Sequence, residues 1–171
     1  MATQPHPDRL DSTLTVLHCA ILTVSDTRTP ETDKSGALAK AKLDGDGHII
    51  AHYQILPDEP DRIAPVVSAW AADSAVDVVI LSGGTGIAPR DTTYEAIATL
   101  LHKIIPGFGE LFRQLSYQEI GSRAMTSRAI AGSINSTLIF SLPGSSNAVR
   151  LALDALILPE LRHLHRLLNP Q

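Results

Sequence analysis

The sequence has few aromatic residues, a single cysteine and no excess of positive charge. Only 4% of its 171 residues are aromatic, and 14 basic residues against 18 acidic ones leave a formal net charge of −4. A generic nucleic-acid-binding protein normally carries a basic patch, and many such proteins stack bases on aromatic side chains, so this class is disfavoured. Cys19 cannot form an internal disulfide and lies in an apolar run, which predicts a buried core residue.

The sequence also lacks a long apolar run. No segment reaches the roughly 18 consecutive apolar residues that a membrane-spanning helix requires. Residues 1–15 are predicted to be a disordered tail and not a signal peptide, because their first eleven positions are polar, include two prolines and lack an apolar segment after a basic one. We therefore expect a cytoplasmic protein with neither a membrane nor a nucleic acid as partner, in which residues 16–171 form a single domain.

Short apolar runs alternate with segments of helical periodicity. Predicted strands cover residues 17–24, 48–56 and 77–81, and a less regular pair at 131–134 and 137–142 suggests a hairpin or an irregular connection. Predicted helices cover residues 36–43 and the apolar positions 63–71, and others begin near residues 92, 106 and 145. Strands joined by helices form parallel β-α-β units, so we expect one α/β domain with a mixed, mostly parallel sheet.

Three local signals predict where helices begin and end. Pro65 is expected in the first turn of its helix, where a missing N–H costs least, and Pro159 is expected to interrupt the C-terminal helix. Thr92 and Glu95 have the spacing of a capping box, in which the threonine hydroxyl accepts a hydrogen bond from the backbone of the first helical turn.

A glycine-rich loop directly follows the third predicted strand. The segment Ser82-Gly83-Gly84-Thr85-Gly86 can adopt positive φ and allow close backbone approach, and such loops point N–H groups at anions. It is not a Walker A loop, because no Gly-Lys-Ser/Thr follows, and Pro89 stands where a dinucleotide fingerprint needs its third glycine. A tight strand-to-helix turn without a ligand explains a bare glycine triplet about equally well.

Two aspartates follow predicted strands. Asp58 comes after the second strand, and Asp91 ends the glycine loop beside Arg90. Each by itself is more typical of a turn or a helix start, but together, next to a phosphate-sized loop, they suit Mg²⁺, which binds one or two carboxylates and substrate phosphate oxygens. The seven histidines do not have the spacing of a zinc site, and no Gly-x-Ser-x-Gly elbow indicates acyl-transfer hydrolysis.

An ordered set of short motifs resembles the MoaB/MogA family of molybdenum cofactor biosynthesis proteins. The most specific motif is ILSGGTG at residues 80–86, followed after four residues by Asp91. The others lie at residues 24–28, 33–36, 56–59, 106–110, 127–129 and 142–145, so the resemblance extends from about Ala20 to Leu156. Residues 107–132 look most like the MoaB branch.

The resemblance implies a three-layer α/β/α sandwich with a mostly parallel mixed sheet, assembling into trimers or hexamers. The substrate would be molybdopterin, whose terminal phosphate, in the active branch, attacks the α-phosphorus of ATP with release of pyrophosphate. By family position, Asp58 and Asp91 would be catalytic and would bind Mg²⁺. The residues that would bind substrate and co-substrate are Ser25, Asp26, Ser82, Gly83, Gly84, Thr85, Gly86, Arg90, Ser127, Pro143, Gly144 and Ser145. Other proteins of the pathway would be further partners.

Two departures from the family pattern leave alternatives open. Ser141 replaces an asparagine that active members often carry before Leu-Pro-Gly, and Asn147 replaces a frequent lysine, whereas the pair Arg90-Asp91 is intact. The leading hypothesis is a molybdopterin adenylyltransferase. The alternatives are a non-catalytic molybdopterin-binding or scaffold protein of the same pathway, and a phosphate-binding α/β protein of unrelated role.

Overall fold

Residues 15–170 are described by a computed structural model, in which one six-stranded sheet carries helices on both faces. The strands are β1 (His18–Val24), β2 (Ile49–Leu56), β3 (Val78–Ser82), β4 (Lys103–Ile104), β5 (Ile130–Ile134) and β6 (Thr137–Leu142). The helices are α1 (Lys34–Gly45), α2 (Pro60–Ala72), α3 (Thr93–Leu100), α4 (Pro106–Ile120), α5 (Ser146–Ala152) and α6 (Leu158–Leu168). The predicted tail, apart from residue 15, lies outside the described residues.

The sheet is mixed, with strand order β2-β1-β3-β6-β5-β4. The first four strands in this order are parallel, and β5 runs antiparallel to both β6 and β4. The two-residue connection Asn135-Ser136 joins β5 to β6, and Asn135 adopts a φ of 50°, which asparagine tolerates better than most residues. The predicted hairpin is therefore confirmed, and the carboxyl ends of four parallel strands meet at one edge of the sheet.

Alternate residues of the central strands face two separate cores. Cys19 and Ile21 point toward the layer that contains α1, α4, α5 and α6, whereas Ala20 and Leu22 point toward α2 and α3. This arrangement confirms the three-layer α/β/α sandwich. Cys19 is buried as predicted, and burial raises the pKa of its thiol to about 12, so the side chain remains a protonated core residue. Between residues 15 and 170 no helix has the length and apolar character needed to cross a membrane.

Two prolines have places in their helices that differ from the prediction. Helix α2 begins at Pro60, whose fixed φ suits the first helical position, so Pro65 falls in the second turn and not the first. Pro159 does not interrupt the C-terminal helix, because a π-helical turn at Leu153–Ile157 connects α5 to α6. Pro159 then lies in the first turn of α6, and the chain remains helical from Ser146 to Leu168.

His48 is buried at the edge of the sheet opposite the strand carboxyl ends. Its Nδ1 accepts a hydrogen bond from the N–H of Leu17 at 3.2 Å, so the neutral ring carries its proton on Nε2. Nε2 lies 3.2 Å from Oδ2 of Asp46 without the alignment of a hydrogen bond, and Arg162 pairs with the same carboxylate at 2.5 Å. Burial, followed by the charge of Arg162, lowers the pKa of His48.

We predict that this histidine makes the fold less stable in acid. Below about pH 6.5, the ordinary pKa of histidine, the unfolded chain binds a proton that folded His48 does not, so the free energy of unfolding decreases as the pH falls. The variant His48→Asn keeps an acceptor for the N–H of Leu17 but does not titrate. Urea unfolding between about pH 7.5 and about pH 5.5 should therefore show a smaller loss for the variant than for the unmodified protein. An equal loss in both proteins would contradict the role of His48.

Candidate active site

The predicted site residues meet at the edge formed by the strand carboxyl ends. Ligands of parallel α/β sheets bind at this edge, near the point where the strand order reverses, which here lies between β1 and β3. Five segments contribute: residues 25–26 after β1, residue 58 after β2, residues 83–91 after β3, residues 143–145 after β6, and residue 127 shortly before β5.

Gly83 and Gly84 are required by the backbone at the start of the glycine loop. Gly83 has a φ of +116°, and a Cβ at this position would lie 2.1 Å from the carbonyl oxygen of Val24. The N–H of Gly83 donates to the carbonyl oxygen of Leu142 at 2.9 Å. A Cβ on Gly144 would lie 3.2 Å from the Cα of Gly83. The loop therefore begins in close contact with the ends of both β1 and β6.

Four consecutive N–H groups of the loop have no acceptor among residues 15–170. They belong to Gly84, Thr85, Gly86 and Ile87, whereas Asp91 donates its N–H to Ala88 at 2.9 Å. Successive unpaired N–H groups in a turn bind anions well, because each donates one hydrogen bond without a positively charged side chain. The loop thus has the donors that the sequence predicts for a phosphate site.

Asp58 caps helix α3 from the loop that follows β2. Its carboxylate accepts hydrogen bonds from the N–H of Thr92 at 3.2 Å, from the hydroxyl of Thr92 at 2.8 Å and from the hydroxyl of Thr93 at 3.1 Å. It is only 6% exposed, and a Cβ on Gly84 would lie 2.3 Å from Oδ2. Asp58 therefore borders the glycine loop and also stabilises the helix that follows it.

The capping box predicted from Thr92 and Glu95 is wrong. Thr92 is the N-cap residue of α3, but its hydroxyl donates to Asp58 and accepts no hydrogen bond from the helix backbone. Glu95 instead pairs with Arg128. A carboxylate is a stronger acceptor than a hydroxyl, so Asp58, although distant in sequence, replaces the local cap.

Asp91 closes the other end of the loop. Its Oδ2 accepts a hydrogen bond from the N–H of Ala88 at 3.0 Å, and a Cβ on Gly86 would lie 2.5 Å from the same oxygen. Asp58 and Asp91 thus contact the loop at Gly84 and Gly86 respectively. No cluster of three or more potential metal ligands of the His, Cys, Asp or Glu type occurs within residues 15–170. Two carboxylates beside phosphate donors are the set that suits Mg²⁺ bound mainly through phosphate oxygens.

Arg90 and Asp26 link the loops after β1 and β3. Nε and Nη2 of Arg90 donate to the two carboxylate oxygens of Asp26 at 3.0 and 2.8 Å. The hydrogen bond from Arg90 lowers the pKa of Asp26, to which the N–H of Asp58 also donates at 3.2 Å. Both side chains are exposed, so incoming phosphate groups can compete with Asp26 for this arginine.

A buried polar network around Asp33 supports the loop after β1. Asp33 accepts hydrogen bonds from Thr23 at 2.5 Å and from Tyr53 at 2.8 Å, while Arg28 pairs with it at 3.4 Å and also donates to the carbonyl oxygen of Gly144 at 3.0 Å. Burial opposes ionisation of Asp33, but the hydrogen bonds outweigh it and lower its pKa. Burial and then Asp33 raise the pKa of Tyr53 to about 12. Nothing in the local sequence indicated this network.

The predicted hydroxyl residues have mostly local partners. Ser25 accepts hydrogen bonds from the N–H groups of residues 27 and 28, and Ser145 caps α5 by accepting from Ala148 at 3.1 Å. Ser82 is buried at the end of β3, and its Oγ finds no partner among the described residues.

Several of the predicted residues line three separate depressions in the surface. Ser25 and Asp26 line a depression of about 640 Å³, Asp91 lines one of about 610 Å³, and Ser127, Pro143 and Ser145 line one of about 130 Å³.

The two positions that depart from the family pattern have different surroundings. Ser141 lies in β6 between Leu81 and Ile130, where its hydroxyl is buried without a partner among residues 15–170. Asn147 lines the smallest depression, and its amide nitrogen donates to Glu119 at 2.6 Å. A neutral side chain held in this way adds no positive charge to the depression.

Arg128 is a residue of this edge that sequence reasoning missed. It lies in the Ser127-Arg128-Ala129 motif, yet no local pattern indicated what its guanidinium would contact. In the structure it donates to the carbonyl oxygens of Thr85 and Gly86 and pairs with Glu95.

Comparison with known proteins shows the family to which the chain belongs. A family described as "Probable molybdopterin binding domain" matches residues 20–163. The chain belongs to this family of molybdenum cofactor biosynthesis proteins. It is 55% identical over 152 residues to "Molybdenum cofactor biosynthesis protein B" of Bacillus subtilis, covering 88% of this chain and 89% of the relative. The protein of the same name from Staphylococcus carnosus is 56% identical over 151 residues, covering 86% and 88%.

Solved structures agree with this membership. A crystal structure of a molybdenum cofactor biosynthesis protein B superposes with a TM-score of 0.89 at 52% identity, covering 92% of this chain and 98% of the other. The molybdopterin biosynthesis Mog protein of Mycobacterium ulcerans has a TM-score of 0.79 at 29% identity, covering 92% and 99%. The higher identity to proteins named B confirms the predicted resemblance to the MoaB branch.

We predict that removing the carboxylate of Asp58 destabilises the fold. Asp58→Ala should lower the free energy of unfolding by about 1–2 kcal/mol, because the N–H and hydroxyl of Thr92 lose their acceptor. Asp58→Asn should cost less, since the amide oxygen can still accept a hydrogen bond. Asp154→Ala removes an exposed partner of Lys42 and should change the free energy by less than about 0.5 kcal/mol. Chemical denaturation measures all three variants, and an Asp58→Ala protein as stable as the Asp154→Ala protein would exclude the capping role.

Proposed function

We propose that the protein binds molybdopterin and transfers an adenylyl group from ATP to its terminal phosphate, with Mg²⁺ as part of the co-substrate. The observation that supports this most directly is the glycine loop, in which the N–H groups of residues 84–87 have no acceptor among residues 15–170 and which Asp58 and Asp91 border. Family membership and the names of the relatives support molybdopterin as the ligand.

In this reaction a phosphate oxygen of molybdopterin forms a bond to the α-phosphorus of ATP. The bond from that phosphorus to the bridging oxygen breaks, and pyrophosphate leaves with the electron pair. In phosphoryl-type transfer a protein mainly positions the reacting groups and offsets their negative charge. The N–H groups of residues 84–87 provide donors for phosphate oxygens, and the exposed Arg90 can add a charge-assisted hydrogen bond.

The two aspartates have lone pairs left for a metal ion. Asp91 Oδ1 accepts no hydrogen bond from residues 15–170, and Asp58 Oδ2 accepts one only from the N–H of Thr92. Mg²⁺ bound to ATP would reduce the repulsion between the two reacting phosphates. In this proposal Asp58 and Asp91 hold that ion beside the glycine loop. Ser25, Asp26, Pro143 and Ser145 line the surrounding depressions.

The alternative is a non-catalytic molybdopterin-binding or scaffold protein that acts with other proteins of the pathway. Asn147 is the observation that favours it, because the depression lined by Ser127, Pro143 and Ser145 contains no lysine at this position. The intact pair Arg90-Asp91 and the position of Asp58 beside Gly84 favour the enzyme.

We expect purified protein, molybdopterin and Mg-ATP to yield adenylylated pterin. Asp58→Asn and Asp91→Asn should each reduce the rate of product formation by about 100-fold or more, because the charge that holds Mg²⁺ is lost while the shape is kept. Asp154→Asn, which removes an exposed carboxylate that pairs with Lys42, is the matched control and should react normally.

Three other results of this assay would contradict parts of the proposal. Unchanged rates in both site variants would refute the roles of the two aspartates. Binding of molybdopterin without any ATP-dependent product would support the non-catalytic alternative. Failure to bind molybdopterin would favour an unrelated phosphate-binding role.

We further propose that the protein is a trimer or a hexamer. Large apolar side chains on α4 and on the 3-10 helix that follows it, Gly121–Thr126, are exposed, including Tyr117 at 63% and Met125 at 79%. Contacts between subunits would cover them. Three chains of 18.3 kDa have a mass of about 55 kDa, which light scattering coupled to size-exclusion chromatography distinguishes from that of a single chain. A monomeric mass at micromolar concentration would contradict this assembly.

A further inference from the structure

The guanidinium of Arg128 contacts three carbonyl oxygens at both ends of the glycine loop. Nε donates to the carbonyl oxygen of Thr85 at 3.0 Å. Nη2 donates to the carbonyl oxygen of Gly86 and, at 3.3 Å, to that of Asp91. These contacts join the glycine end of the loop to the aspartate that ends it.

The guanidinium is itself held in place by α3. Glu95 pairs with Nη1 and Nη2, and the ring of Tyr94 lies 4.9 Å from Cζ of Arg128. Most of the five N–H donors of this arginine are therefore engaged within the protein. Arg128 is placed to act through the loop and not by direct contact with reacting atoms.

Each carbonyl that Arg128 binds orients an N–H group on the opposite side of the same peptide unit. The peptide bond is planar and trans, so C=O and the following N–H point in opposite directions. The three N–H groups that point away from the guanidinium belong to Gly86, Ile87 and Thr92. For Thr92 the structure shows the consequence, since this N–H donates to Asp58.

Arg128 and Asp58 therefore bind opposite ends of one peptide unit, that between Asp91 and Thr92. The N–H groups of Gly86 and Ile87 are the last two of the four loop donors that have no acceptor within the described part of the chain, residues 15–170. A peptide unit next to glycine can rotate easily because no Cβ restricts it. A cation on the carbonyl side opposes that rotation and also polarises the N–H on the other side.

We propose that Arg128 is a positioning residue, which holds the carbonyl groups of the glycine loop so that the N–H groups of Gly86 and Ile87 face the substrate phosphate. This inference rests on the proposed function, because it concerns the phosphate that the loop would bind. Donors oriented before the substrate arrives need no rearrangement during the reaction, which is why their loss reduces turnover.

The test compares three variants in the adenylylation assay. Arg128→Met keeps the apolar stem but removes every donor, and we expect kcat to fall about 100-fold, the cost of a displaced donor. The kcat of Arg128→Lys should fall about 10-fold, because one ammonium group cannot bind three carbonyl oxygens as the planar guanidinium does. Asp154→Asn, which removes a charged carboxylate that pairs with Lys42 away from the loop, should retain the unmodified kcat.

A second measurement needs no substrate and reports on the loop directly. The heteronuclear ¹H–¹⁵N NOE of the Gly86 and Ile87 amides should decrease in Arg128→Met and remain unchanged in Asp154→Asn. If Arg128→Met does not fold, Arg128→Lys is measured in its place. A merely structural role would lower the melting temperature without a selective change at these two amides.

The outcomes separate this inference from the function on which it rests. Normal kcat in Arg128→Met, or unchanged loop NOE values in a variant with reduced kcat, would overturn the positioning role. If the unmodified protein forms no adenylylated pterin, the proposed function fails. The NOE comparison then decides by itself whether Arg128 orients the loop, with unchanged values overturning the inference.

Discussion

The hydrogen bonds between Asp58 and the start of α3 determine where the glycine loop ends. A buried carboxylate is costly unless donors surround it, and here the N–H and hydroxyl of Thr92 and the hydroxyl of Thr93 provide them. The other end of the loop is set by Gly83, which lies against the backbone of Val24. Both ends of the loop therefore depend on the positions of neighbouring strands. The same carboxylate contributes to stability and lies at the proposed reaction site, which is why stability and activity must be measured separately for its variants.

The site accommodates anions in a protein whose net charge is negative. Three arginines at this edge are each paired with a carboxylate: Arg28 with Asp33, Arg90 with Asp26, and Arg128 with Glu95. These pairs offset the positive charge that the three side chains could offer to a substrate phosphate. Backbone N–H groups can nevertheless bind phosphate oxygens without a basic side chain, so overall composition is a poor guide to the ligand of such a site.

Helix boundaries show where local rules were overridden. The capping box at Thr92 has the correct spacing, but a carboxylate from another loop forms stronger hydrogen bonds than a threonine hydroxyl does. Pro159 has the local character of a helix breaker, yet the chain remains helical through the π-helical turn that precedes it. In both cases contacts or geometry beyond the local segment changed the result, whereas the hairpin at Asn135 follows from its turn residues and was predictable.

The sequence by itself determined the order of the strands and helices other than the two-residue strand β4, the burial of Cys19 and the position of the glycine loop. These features follow from periodicity, apolar runs and the conformational freedom of glycine, all of which operate over a few neighbouring residues. The tertiary structure alone decided that Asp58 caps α3 and that Arg128 binds the carbonyl groups of the loop. These contacts join residues 34 and 42 positions apart. They form because the sheet brings the carboxyl ends of its parallel strands and the amino end of antiparallel β5 to one edge.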